Sequence, residues 1–179
     1  MIYYRQVFRT DKNIGKGYNE EMELAPDGSW VCFTDGDTCQ VITDYGVHLE
    51  AYIDKYQDVG LFTCMTNRVG QGFHLLKGFI DPNHDMLYHK KIAGELVNKS
   101  QHRLQYLDNP DAPLSGHLMM INKDVWKMVG GFNDGCLGVD NDIHQKCLRF
   151  GIRVGLMKDF YLYHFYRGHK DYRNTSHLR

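Results

Sequence analysis

The sequence predicts an α/β fold, a single domain whose mostly parallel central sheet is flanked by helices. Three observations carry this expectation. Short apolar runs rich in β-branched and aromatic residues alternate with amphipathic stretches of helical period, the pattern of parallel strands joined by helices. With 179 residues, 42% hydrophobic and 24% charged, the chain has the size and composition of one globular domain. The third is punctuation: breakers such as Pro26-Asp27-Gly28 and Asp108-Asn109-Pro110 fall between the periodic segments. The domain is expected over 1–166, followed by a polar tail, 167–179.

The elements follow in order. Ile2 to Phe8 has strand character, and Asn13 opens a glycine-containing helix that Pro26 stops. Trp30 to Phe33 is a buried strand. Val47, Leu49, Ala51, Ile53 and Tyr56 trace a helical stripe over Tyr45 to Tyr56, and Val59 to Met65 is the next strand. Thr66 to Asp85 is glycine-rich and irregular, the kind of long connection that carries function. Leu87, Ile92, Ala93, Leu96 and Val97 predict a helix from Asp85 to about Leu107. Gly116 to Ile121 is a strand, Asn122 caps a short helix that Gly130-Gly131 ends, and another helix runs from Asp140 to Phe150. Two β-prone segments, Arg153 to Met157 and Phe160 to His164, close the domain.

The formal net charge of −1 argues against a nucleic-acid partner. Cys32, Cys39, Cys64, Cys136 and Cys147 are odd in number and widely spaced, and they read as reduced thiols. The N-terminal residues are too polar for a signal peptide, and no apolar run approaches the ~18 residues that span a bilayer. The expectation is a cytoplasmic protein with no transmembrane segment.

Chemistry concentrates where the strand Trp30 to Phe33 runs out into Asp35-Gly36-Asp37. Ligands gather at the carboxyl ends of strands in parallel sheets. Two carboxylates at a tight turn can hold a hard divalent cation, although Asp-Gly-Asp is also ordinary turn chemistry. Further along, Gly130-Gly131-Phe132 precedes Asp140-Asn141-Asp142, and Tyr163-His164 ends a late strand.

In chain order, Asn13-x-Gly15, Asp35-Gly36-Asp37, Gly130-Gly131-Phe132, Asp140-Asn141-Asp142 and His164 resemble the motifs of GT-A glycosyltransferases, most closely the inverting family 2 and β-1,4-galactosyltransferase types. The resemblance implies a Rossmann-like GT-A domain that moves a sugar from a nucleoside diphosphate sugar to a glycan or other hydroxyl acceptor. It implies Asp35, Asp37 and His164 as ligands of Mn2+ or Mg2+, Asp140 as the base, and Gly131, Phe132 and Asp142 on the acceptor side. Donor contacts are expected from Arg9, Asp11, Asn13, Lys16, Asn19, Arg68, Ser115 and Gly116. Two departures stand out: Val139 replaces the Glu that usually leads the acidic helix start, and Asn13 comes so early that the N-terminal nucleotide-binding unit is shortened.

Each residue also has a plainer role. Asp142 lies four positions before Lys146, the spacing of a surface ion pair. His164 competes with His169 as the ligand, and Arg68 is as readily an ion-paired surface residue. Two other functions stay open. One is a binding protein without turnover, which the shortened N-terminus favours. The other is a metal-dependent phosphohydrolase that uses Asp35, Asp37, His164 and His169.

Overall fold

A computed structural model describes residues 1–166; the expected tail and His169 lie outside them. Seven strands, β1 (Ile2–Arg5), β2 (Trp30–Thr34), β3 (Thr38–Gln40), β4 (Val59–Thr66), β5 (Leu104–Tyr106), β6 (Leu118–Asn122) and β7 (Arg153–His164), form one sheet. Five helices pack with it: α1 (Ile14–Leu24), α2 (Tyr45–Lys55), α3 (Met86–Asn98), α4 (Lys123–Val129) and α5 (Val139–Arg149). The α/β class is as expected.

The sheet is mixed, which corrects the mostly parallel expectation. Its order is β1-β2-β6-β4-β7-β3, with β5 also on β7. Only β1/β2 and β4/β7 run parallel; β6 lies antiparallel between β2 and β4, and β3 and β5 both run antiparallel to β7. Alternation along the chain favours helical crossovers, but it does not say which strand enters between two others. The apolar run of β6, Leu118 to Ile121, is fully buried and fills the gap between β4, buried throughout, and β2, buried at Val31 to Phe33.

Two element boundaries differ from expectation for identifiable reasons. The helix expected to reach Leu107 stops at Asn98, and Leu104–Tyr106 pairs as β5 with Gly155–Met157. Here Asp159, buried in β7, accepts the backbone N–H of Gln101 (3.1 Å) and Arg103 (2.9 Å) and pairs with the Arg103 guanidinium at 2.6 Å. A buried carboxylate requires such partners, and meeting them pulls the chain out of the helix. The two expected late segments are one strand, β7, with the register against β4 slipping between Met157 and Tyr161. The irregularity falls at Lys158 and Asp159, where the sequence pattern breaks.

Helix α1 is fastened at both its start and its middle. Asn13 caps it, accepting the Lys16 N–H at 3.0 Å and the Gly135 N–H at 2.8 Å. Gly15 lies so close to the 133–135 loop that a Cβ there would stand 1.9 Å from the Asn133 carbonyl oxygen. Asn19 then fixes the turn after α4: its Oδ1 accepts Trp126 Nε1–H and Phe132 N–H, both at 2.9 Å, and its Nδ2 donates to the Phe132 carbonyl at 2.9 Å. Gly130 and Gly131 take positive φ of 81° and 75° in that turn, a region open to glycine. The Asn-x-Gly and Gly-Gly-Phe signatures thus hold one joint together.

Asn19→Ala should therefore act on stability, leaving buried donors unpaired at a cost of about 2–4 kcal/mol. Urea unfolding measures this directly, and the folded fraction should bind Mn2+ as wild type does.

Candidate metal centre

The Asp35-Gly36-Asp37 turn is shaped by its own backbone. The Asp35 carbonyl accepts the Thr38 N–H (3.2 Å) and hydroxyl (2.7 Å), closing the turn directly after β2. The chain then enters β3, whose register places Thr38 opposite His164 and Cys39 opposite Tyr163. Phe165 N–H donates to the Asp37 carbonyl at 2.9 Å, tying the end of β7 to the same turn. His164, at the end of β7, is thereby brought to the carboxylates of residues 35 and 37.

His164 Nε2 lies 3.2 Å from Asp37 Oδ1 and 3.9 Å from Asp35 Oδ2. Ligand atoms from the three residues all fall within 4.8 Å of one another, and among the described residues no other group of three His, Cys, Asp or Glu is so arranged. His164 is buried, whereas the two Asp side chains are 41% and 45% exposed and open to the cleft. Two carboxylate oxygens and one imidazole nitrogen suit a divalent ion that accepts mixed O and N ligands, as Mn2+ does.

Electrostatics at the site fit the same use. Burial by the surrounding cleft pushes the Asp35 carboxyl up to about 6; His164 pulls it down, and Asp37 and Asp140 push it further up. Burial also lifts Asp37, but the hydrogen bond and charge of His164, with backbone N–H groups, outweigh it and hold that carboxyl below the ordinary value. The Asp140 carboxyl is raised by burial against the pull of the Asn141 and Gly116 amides, which donate to it at 2.9 Å each. Three carboxyls thus crowd one cleft, and a cation would relieve the crowding.

The cleft has two lobes. One, of about 620 Å3, is bounded by the segment after β1 (Val7, Phe8, Arg9), by Tyr18 and by the loop before α5. The other, of about 410 Å3, is bounded by Val69, Gly70, Gln71, Ser115, His117 and Asn141. Asp35, Gly116, Asp140, His164 and Tyr166 line both. Asp35, His164 and Asp140 therefore stand at the junction, with Asp37 beside them on the wall of the larger lobe.

Of the other residues singled out in the sequence, Arg9, Ser115 and Gly116 line the cleft. Arg9 is already engaged, paired with Asp11 at 2.7 Å and with Glu20. Asp11, Asn13, Lys16 and Asn19 are not among the lining residues, and neither are Gly131 and Phe132, which belong to the joint under α1. Phe132 is buried against Tyr18 and Phe33. Asp142 pairs with Lys146 at 3.1 Å, the plainer role its spacing suggests. Arg68 is buried beside His84, with Nη1 3.3 Å from His84 Nε2, and lines neither lobe. Phe8, Tyr18, Gln71 and Tyr166 join the cleft without any motif to mark them. Only the tertiary fold brings them there.

No protein-family model matches the chain, and no curated protein sequence matches it. No helix among the described residues is long and apolar enough to cross a membrane.

The raised Asp35 carboxyl has a consequence for stability. Its proton is held more tightly in the folded than in the unfolded chain, so the metal-free protein should lose stability as pH rises from about 4 through about 6, and the contribution levels off above that. With the side chain 41% exposed, the effect is worth about 1 kcal/mol after allowance for solvent screening. Asp35→Asn should flatten this pH dependence in chelator-treated protein, as followed by thermal unfolding between pH 4 and 7.5.

Proposed function

We propose that this protein is a metal-dependent inverting glycosyltransferase that moves a sugar from a nucleoside diphosphate donor to a hydroxyl acceptor. The observation that carries the reading is a cluster: ligand atoms of Asp35, Asp37 and His164 lie within 4.8 Å of one another, and Asp35, His164 and Asp140 line both lobes of the cleft. The motif order that resembles GT-A glycosyltransferases supports it further.

Two lobes with a shared wall suit a two-substrate transfer. Asp35, Asp37 and His164 would hold Mn2+ or Mg2+, which supplies Lewis-acid stabilisation of the charge that develops on a leaving diphosphate. The larger lobe, with apolar Val7, Phe8 and Leu137 near Arg9 and Lys12, suits the nucleoside part of a donor. The smaller lobe, with Gln71, Ser115 and Asn141, offers hydrogen-bonding groups to an acceptor.

In the transfer, the acceptor oxygen bonds to the anomeric carbon as the bond from that carbon to the diphosphate oxygen breaks. The electron pair of the broken bond leaves with the diphosphate, and the acceptor proton passes to Asp140. The carboxylate is oriented for this by the Gly116 and Asn141 amides. Burial raises its proton affinity, which favours a base working near neutral pH.

One observation favours a second reading, a protein that binds a nucleotide sugar without turnover. Both Asp140 oxygens already accept a backbone hydrogen bond, as they would in a purely structural role.

Thermal unfolding with a panel of nucleotide sugars, with and without Mn2+, tests the common core of both readings, because a ligand that binds only the native state raises its stability. We expect one donor to stabilise the protein in a metal-dependent way, and Asp37→Ala to abolish the shift. No shift with any donor would overturn both readings. With that donor in a product assay, Asp140→Asn should keep donor affinity and lower turnover by about 10² to 10⁴. Undiminished transfer by Asp140→Asn would move the base elsewhere.

A further inference from the structure

His164 reaches the triad on a ring that few hydrogen bonds hold. Nε2 faces Asp37, but Nδ1 is buried and has no hydrogen-bond partner among the described residues. Metal-binding imidazoles ordinarily have the second nitrogen anchored by a carboxylate, carbonyl or water, which fixes the ring plane. At His164 that anchor is replaced by packing. The ring packs on His117, stacked at 5.7 Å between centroids and 20° between planes, and on Tyr166, tilted at 5.2 Å.

His117 is itself rigidly set. It is 1% exposed, and its Nε2 lies 3.1 Å from the Cys64 carbonyl oxygen, which can only accept, so Nε2 carries the proton and donates. His74 donates from Nδ1 to the same carbonyl at 3.0 Å, accepts the Ser115 N–H at Nε2, and meets the His117 ring edge-on at 5.2 Å. The two imidazoles are thus clamped on one oxygen of β4, beneath the metal centre. Residue 117 also acts through its backbone, because its carbonyl accepts the Asp35 N–H at 3.3 Å.

We propose that His117 is the positioning residue of the metal centre: its ring sets the plane of His164, and its backbone sets the start of the Asp35-Gly36-Asp37 turn, so one residue aligns ligands that come from β2 and β7. This rests on the reading of Asp35, Asp37 and His164 as metal ligands. It goes beyond that reading, since His117 is not one of the three clustered ligand residues and the sequence carries no motif for it.

A stack can be tested apart from a hydrogen bond, because Phe keeps a flat ring and Ala does not. Binding of Mn2+ alone, followed by the electron paramagnetic resonance signal of the free ion, should be at least about tenfold weaker in His117→Ala than in wild type. His117→Phe should recover affinity to within about threefold. Circular dichroism on the same samples confines the comparison to folded protein. A side chain that served only overall stability would lower the melting temperature without moving the affinity of the folded fraction.

Wild-type uptake of Mn2+ with equally tight uptake by folded His117→Ala overturns the positioning role alone. Where His117→Ala does not fold, His117→Phe decides: affinity within about threefold of wild type supports the stack, and a loss as large as that of His164→Ala overturns it. A wild type that takes up no Mn2+ overturns the metal reading and this inference with it.

Discussion

The pairing of β3 with the C-terminal half of β7 is the constraint on which the site depends. β3 has only three residues, Thr38–Gln40, and it follows the Asp35-Gly36-Asp37 turn directly. Because Thr38 is paired with His164, the imidazole cannot be displaced along the strand without breaking the ladder. A slip of one residue would exchange His164 for Tyr163 or Phe165 and point the wrong face at the carboxylates. The irregularity at Lys158 and Asp159 serves this pairing. It divides β7 so that β5 takes Gly155–Met157 and β3 takes Leu162–His164 on the same edge.

A second dependence runs through α1. Its start is fastened to the 133–135 loop by Asn13 and by the close approach at Gly15, and its middle to the Gly131-Phe132 turn by Asn19. Tyr18, on the same helix, packs its ring on Phe33 and Phe132 and lines the larger lobe. Burial first, and then the negative charges of Asp35 and Asp140, raise its hydroxyl above the ordinary value. The helix thus connects the turn that precedes α5, and hence Asp140, to the wall of the cleft. Polar side chains that look like ligand contacts in the sequence are consumed in building that wall.

What was legible in the sequence, and what was not, follows from the range of the interactions. The end of β2 could be read because an apolar run meeting two carboxylates is a local signal, and the late β-prone run ending at His164 was equally local. That these two ends meet depends on β3/β7 register, which no local pattern encodes; only the resemblance to GT-A motif order linked them. The antiparallel insertion of β6 is likewise a choice of neighbour. The sequence alone extends the helix of Leu87, Ile92, Ala93, Leu96 and Val97 to about Leu107, because the contact that ends it, buried Asp159, lies more than fifty residues away. The resemblance marks Asn13, Asn19 and Phe132, but the structure gives them packing and hydrogen-bonding duties. His117 sat unassigned beside Ser115 and Gly116, because a ring stack leaves no trace in the spacing of residues.

The central claim is that Asp35, Asp37 and His164 hold one divalent ion between them. Anomalous diffraction from crystals grown with Mn2+ tests it most directly. A single anomalous peak is expected within bonding distance, about 2.0–2.3 Å, of a carboxylate oxygen from Asp35, one from Asp37, and Nε2 of His164. A peak that engages other side chains, or no peak at the triad at saturating Mn2+, would contradict it.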